Sequence, residues 1–348
     1  MSPYVLMLVL SSLGLGTALT FSSSHWLLAW MGLEINTLAM LPLMARHHHP
    51  RAVEATTKYF LTQATAAAII LFASLSNSWF TGQWTITELS DPLSASIATM
   101  GLALKIGLAP LHFWLPEVLQ GIPLLEGLIL STWQKLAPFA LILQLSTATP
   151  PVLLTSLALV SALMGGWGGI NQTQLRKLLA YSSTAHLGWM IVVCQLAPPL
   201  TLLALFTYIF MTSAAFLTFY SLSVTKTFSL AQSWTKFPAL TALACLVMLS
   251  LGGLPPLTGF MPKWFILKEL VDQAFPIAAT LIALSALLSL YFYLRLTYLA
   301  TLTLSPHTVP ATSPWIVCLT PLPFPLPLFL MATFTLLPLS PTILTLLT

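Results

Sequence analysis

Gly107-Leu108-Ala109-Pro110-Leu111 followed by Pro116-Glu117, and Gly253-Leu254-Pro255-Pro256-Leu257 followed by Pro262-Lys263, repeat one pattern at one spacing inside long apolar runs. Proline inside a helix removes a backbone hydrogen bond and clashes with the preceding turn. Two prolines six residues apart beside a glycine therefore predict a helix cut in two. The carbonyls so freed need water or a partner. The bland alternative is a packed helix that kinks at proline, as many do. Finding the same double interruption twice favours the first reading, because interrupted helices at matching positions of two halves mark ion pathways in transporters.

The runs that carry these motifs fill the chain. Of 348 residues 57% are hydrophobic and only 6% charged, with a mean hydropathy of +0.91. A water-soluble domain of this length needs more polar surface than that. A membrane span takes roughly 20 apolar residues, and such stretches are expected near 3–20, 25–45, 54–77, 95–120, 125–146, 150–170, 174–195, 199–222, 239–267, 276–300 and 322–345. The last is the weakest: Pro321, Pro323, Pro325, Pro327, Pro338 and Pro341 predict a short or irregular span. The apolar run starts at Pro3, with no Arg-rich or cleavable leader pattern, so the first segment reads as a permanent span.

Numbering the connections alternately tests this division. Arg46, Arg51, Arg176, Lys177, Lys226, Lys236 and Arg295 fall on the side of the N-terminus. Glu88, Asp91, Glu269 and Asp272 fall opposite, relieved only by Lys268. Basic residues gather on the side where a chain is made, so the asymmetry supports an odd number of spans with the termini on opposite faces. If the fourth and ninth spans correspond, the fold is all-α: a polytopic bundle of about eleven spans, in two inverted five-helix repeats (about 1–146 and 150–300), each with one broken helix, and a C-terminal segment (301–348).

Charge at mid-membrane costs about 3 kcal/mol on some scales and more on others, so such residues usually face protein or water. Glu34, Lys105, Lys135 and Lys263 lie too deep in their spans to reach the headgroups easily. Lysine suits proton transfer because desolvation and a nearby carboxylate act on it in opposite senses. Glu34 is expected to modulate Lys105, with Lys135 the next relay towards the second half and Lys263 the terminal station. Static ion pairs that fix helix register are the competing reading. His186, with Tyr181, Ser182, Ser183 and Thr184 around it in the sequence, and His112 in the first interruption could relay protons or satisfy local hydrogen bonds. Glu117 and Glu126 are expected at headgroup level.

Other motifs carry less. Consecutive His47, His48 and His49 do not converge on one metal ion. Gly165, Gly166, Gly168 and Gly169 lack the lysine of a phosphate loop and read as a helix end. Cys194, Cys245 and Cys318 are far apart and read as small core residues. The net charge of +4 comes from scattered basic residues, which argues against nucleic acid. There is no haem-ligand pair, flavin fingerprint, nucleophilic triad or metal motif, so no redox chemistry, cofactor or soluble substrate is expected in this polypeptide.

Three stretches together, Gly107 to Trp114 (GLAPLHFW) with Pro116, Arg176 to Gly188 (RKLLAYSSTAHLG) and Gly252 to Lys263 (GGLPPLTGFMPK), resemble the antiporter-like subunits of the proton-pumping NADH:quinone oxidoreductases, over essentially the whole chain. The family's channel carboxylate falls on Glu34, its broken-helix lysine on Lys105, its bridging lysine on Lys135 and its second-half terminal lysine on Lys263. Bacterial members have fourteen helices, and an animal branch that starts without the first three would have eleven. The resemblance implies an organelle-encoded chain in the inner mitochondrial membrane, N-terminus in the matrix, set among lipids and the other hydrophobic and accessory subunits of complex I. It implies that NAD, FMN, iron-sulfur clusters and ubiquinone are bound by other subunits. An autonomous cation/proton antiporter and a non-transporting assembly scaffold are the alternatives.

Overall fold

The computed structural model describes residues 2–46, 49–89, 91–235, 237–303 and 323–347. His47, His48, Lys236, Cys318 and Pro321 lie outside them. Within the described residues the chain is helical, with two isolated β-bridges and no strand. Its internal contacts divide it into two compact units, Met1–Val160 and Ser161–Thr348.

The first unit contains α1 (Pro3–Ser22), α2 (Trp26–Met44), α3 (Pro50–Thr81), α4 (Pro92–Ile106), α5 (Trp114–Gly121), α6 (Leu124–Ser131) and α7 (Trp133–Leu145). The unit boundary falls within α8 (Pro151–Gly169). The second unit continues with α9 (Leu175–Val192), α10 (Pro198–Leu222), a short α11 (Thr227–Gln232), α12 (Pro238–Gly252), α13 (Phe260–Asp272), α14 (Pro276–Tyr298) with a π-helical turn at Leu299–Thr303, and α15 (Pro325–Leu347). Many helices start on proline, whose fixed φ suits the first turn and whose missing N–H would be unsatisfied there anyway. Eight helical stretches among the described residues are long and apolar enough to cross a membrane.

The expected spans fall on these helices, with three differences. The segment 322–345 is not short or irregular from Pro325 onward: α15 runs unbroken for 23 residues, with Pro325 at its start and Pro338 and Pro341 inside it. The fifth span, Leu124–Leu145, is one membrane-length stretch but is interrupted at Thr132, where the Lys135 N–H bonds the Thr132 carbonyl (3.3 Å) one residue short of α spacing. The third span is 32 residues, about 48 Å at 1.5 Å per residue, well beyond the roughly 30 Å of hydrocarbon.

Small residues set the close approaches. A Cβ on Gly32 of α2 would meet the Gly16 carbonyl of α1 at 2.9 Å, so the two backbones touch there. In the second unit a Cβ on Gly165 would meet the Ala185 nitrogen at 2.5 Å, and those on Gly166 and Gly169 would meet Leu288 and Phe292. The glycine run therefore both ends α8, as expected, and seats α9 and α14 against it.

Each unit has distinguishable ends. In the first, Ser24 and Trp84 exchange backbone hydrogen bonds with Ile86 and Trp26 (3.0 and 3.1 Å), close in sequence to Glu88 and Asp91. Gly121 lies against Arg51 and Ala55 at the start of α3. In the second unit the 173–175 and 225–227 segments bond one another, gathering Arg176 and Lys226. Arg295 joins them by donating to the Ile170 carbonyl (2.6 Å).

Candidate functional site

α4 ends at Gly107, whose φ of 85° and ψ of 45° lie in the left-handed region that glycine adopts without cost. The Gly107 and Leu108 N–H groups both return to the Ala103 carbonyl (2.9 Å each), closing the helix. α12 ends the same way at Gly253 (φ 83°, ψ 42°), with Leu254 donating to the Leu249 carbonyl (3.4 Å). Each half-helix has 15 residues, about 22 Å, too short to cross alone. Pro110 lies in the first gap, Pro255 and Pro256 in the second, whereas Pro116 and Pro262 sit third in α5 and α13, where a missing N–H breaks nothing. Glycine and the gap prolines cut the chain; the later prolines restart it.

Carbonyls at a helix end in an apolar setting must be satisfied, at about 1–3 kcal/mol for each left bare. In the first unit Trp114 Nε1 donates to the Leu104 carbonyl (3.0 Å) and Gln63 Nε2 to that of Lys105 (3.3 Å). The Lys105 ammonium, its side chain 2% exposed, faces Glu34 Oε1 at 3.5 Å. That separation exceeds the 2.7–2.9 Å of a charge-assisted hydrogen bond, and neither atom has a hydrogen-bond partner among the described residues. Thr37 donates to both the Glu34 carbonyl (2.8 Å) and its Oε2 (3.4 Å), tethering the carboxylate by its other oxygen.

Lys105 and Lys135 line one cavity with Asn36, Tyr59, Gln63 and Gln134. Its volume of about 20 Å³ has room for a water molecule with several polar neighbours. Gln134 Nε2 donates to the Asn36 carbonyl (3.2 Å), joining α7 to α2 across it. Lys135 is buried, three residues past the division at Thr132.

In the second unit Lys263, half-buried, projects from α13 back to the end of α12, where its Nζ donates to the Gly252 carbonyl (2.8 Å). A cation at a helix C-terminus sits at the negative end of the helix dipole. The Trp189 ring lies 5.8 Å from the same nitrogen, at the outer reach of a cation–π contact. Among the described residues no ion pair holds Lys263. It lines a second cavity of about 20 Å³ with His186, Trp189, Thr207 and Met211. His186 lies 5.6 Å from the buried Tyr208 ring, centroid to centroid.

The expected residues thus gather into two places, Glu34, Lys105 and Lys135 in one and His186 and Lys263 in the other. His112 is buried in the first gap, its ring 4.5 Å from that of Phe113. Glu117 is exposed, in an ion pair with Lys58 (2.8 Å) that Lys58 shares with Glu54 (2.8 Å). Glu126, on α6, is buried. His49 caps α3, its Nδ1 accepting from the Arg51 N–H (3.2 Å), and Cys194 and Cys245 are buried thiols. Sequence reasoning passed over Asn36, Gln63 and Gln134. Their signal was an amide side chain inside an apolar run, a costly choice unless it meets a partner.

Residues 23–289 match the family model described as NADH:quinone oxidoreductase/Mrp antiporter, TM, and residues 290–344 match NADH dehydrogenase subunit 2 C-terminus. NADH-ubiquinone oxidoreductase chain 2 of Carassius auratus is 69% identical over 348 residues, 100% of both chains, and that of Danio rerio 65% over the same extent. Among solved structures, a chain of respiratory complex I from Thermus thermophilus superposes with a TM-score of 0.82 at 28% identity, covering 100% of this chain and 78% of that one. A chain of the Mrp complex from Dietzia sp. shares the fold alone, with a TM-score of 0.74 at 16% identity over 83% of this chain and 59% of its own. With both family models and near full-length relatives in agreement, the chain belongs to the NADH:quinone oxidoreductase/Mrp antiporter family of membrane proteins, in its NADH dehydrogenase subunit 2 branch.

Proposed function

We propose that this chain is a membrane-arm subunit of complex I that takes part in moving protons across the inner mitochondrial membrane, driven by electron transfer from NADH to ubiquinone in other subunits. The flavin, iron-sulfur clusters, NAD and quinone belong to those subunits, and other hydrophobic subunits and lipids surround this one. The N-terminus faces the matrix and the C-terminus the intermembrane space, a placement supported by the basic residues on the N-terminal side. The chain is organised as two repeats, about 1–146 and 150–300, each contributing one interrupted helix, followed by the segment 301–348.

The proton path runs through Glu34, Lys105 and Lys135 in the first repeat and through His186 and Lys263 in the second, with His112 beside the first interruption. The observation that carries this reading is the Lys105 ammonium, buried at the end of a cut helix, loosely opposed to Glu34 at 3.5 Å and sharing a water-sized cavity with Lys135. A register-fixing ion pair gains by short, fully hydrogen-bonded geometry. A pair that must open and close gains by being loose. When the carboxylate is near, the proton stays on Lys105; when it moves off, the amine releases the proton towards Lys135 through the cavity.

The test is Lys105→Met in the whole complex, reconstituted in proteoliposomes, with NADH oxidation and lumen acidification followed together. Proton translocation is expected to fall about tenfold or more, the scale of a lost acid–base group. An assembled variant that pumps normally would make the chain a scaffold.

A further inference from the structure

Glu126 takes no part in the path described above, yet its environment is not that of a structural carboxylate. It is 7% exposed, and among the described residues its Oε2 has no hydrogen-bond partner and no ion pair reaches it. Burying such a group unaccompanied is costly. Glu117, at the other side of the same loop, shows the ordinary alternative by reaching outward to Lys58.

Its place on α6 gives the burial a use. Glu126 is the third residue of α6, and Leu130, one turn further on the same face, lines the cavity that holds Lys105, Gln134 and Lys135. Lys135 lies nine residues on, in α7, past the division at Thr132. Five residues before Glu126, Gly121 lies against the Arg51 carbonyl and Ala55. That is the end of the unit where Glu54, Lys58 and Glu117 form their exposed cluster. Glu126 therefore lies between the exposed charged cluster and the helix face that lines the amine cavity.

We propose that Glu126 is the proton-collecting carboxyl that loads the Lys105–Lys135 cavity from that end. A carboxyl proton leaves Oε2 as a proton is gained by an uncharged lysine amine through water in the cavity. The O–H bond breaks, an N–H bond forms, and the carboxylate left behind takes its next proton from water at the Glu54–Lys58–Glu117 face. This rests on the relay reading of Lys105 and Lys135. A purely structural role would be to support the start of α6, where glutamate and glutamine serve alike.

The decisive variants are Glu126→Gln and Glu126→Asp in the whole complex in proteoliposomes, beside Lys105→Met and Lys135→Met. Glu126→Gln keeps the helix start and removes the titratable proton, so translocation is expected to fall about tenfold or more, with partial recovery in Glu126→Asp. Normal pumping in Glu126→Gln, with the lysine variants defective, overturns the collecting role and leaves the relay standing. Normal pumping in the lysine variants overturns the relay itself. Should Glu126→Gln fail to assemble, dicyclohexylcarbodiimide, which modifies protonated carboxyls in apolar sites, provides the test on the unaltered complex. Mass spectrometry is expected to find Glu126 modified, increasingly as the pH is lowered; no modification at any pH overturns the proposal.

Discussion

The interruptions at Gly107 and Gly253 share a backbone and differ in the group that completes them. Their dihedrals agree within 3°, and both close with the same return hydrogen bond to a carbonyl one turn back. At the first, Trp114 and Gln63 donate to the Leu104 and Lys105 carbonyls, and the Lys105 amine faces Glu34. At the second, the amine itself satisfies the carbonyl, Lys263 to Gly252. The charge on Lys105 is thus matched by a side chain that can move and take up a proton. The charge on Lys263 is matched by a backbone dipole that can do neither. The two cuts place their amines differently: Lys105 lies before its glycine, with α3 and α5 donating to the nearby carbonyls, and Lys263 lies beyond its glycine and donates from α13 itself.

The sharpest way to break this comparison is Lys263→Met, expected to lower proton translocation about tenfold or more and also to strip the Gly252 carbonyl of its donor, costing about 1–3 kcal/mol of stability. Thermal unfolding of the assembled complex checks the second effect. Next, Glu34→Gln and Lys105→Met should be non-additive in translocation rate by up to about 3 kcal/mol, because they remove one interaction, whereas Glu34→Gln and Lys263→Met should add within about 0.5 kcal/mol. Equal coupling in the two double-mutant cycles would erase the distinction between the sites.

Smaller effects separate the glycines. Alanine at either position should cost about 1–2 kcal/mol for its left-handed backbone. At Gly107 the new methyl meets Leu115 Cδ1 at 3.1 Å, but at Gly253 it meets Lys263 Nζ at 2.9 Å. Gly253→Ala is therefore expected to displace the amine and slow pumping at matched assembly, and Gly107→Ala to alter stability alone. The smallest effect concerns Asp91, outside the spans, whose carboxyl is held below the usual range by the Ser94 hydroxyl and then by its backbone N–H (2.6 and 3.0 Å). With the folded value depressed, its support of α4 is present at neutral pH and lost as pH falls through that value. Ser94→Ala should bring that loss to higher pH, seen as faster hydrogen exchange in the first turn of α4.

The cuts in α4 and α12 were legible because glycine and proline act through local backbone chemistry, and the buried charges because apolar runs leave few places for them. The partners were not. Whether Lys263 meets a carboxylate or a carbonyl depends on how α12 and α13 are rotated, which no local pattern specifies. Glu117 and Glu126 look alike in the sequence and part company only when α5 turns one outward to Lys58 and α6 turns the other in. The division at Thr132 lies six residues before Pro138, outside the reach of that proline's own missing bond, and no motif there announced it. α15 shows the reverse error: its prolines looked disruptive, but Pro325 occupies the first turn, where proline is accommodated, and the helix carries Pro338 and Pro341 without interruption.

On the proposed path, protons are carried by amines held beside cut helices. The most direct test is the number of protons translocated per NADH oxidised by the whole complex bearing both Lys105→Met and Lys263→Met, in proteoliposomes and at matched NADH turnover. The account predicts a lower ratio than in the unaltered complex; an unchanged ratio from a fully assembled double variant would contradict it.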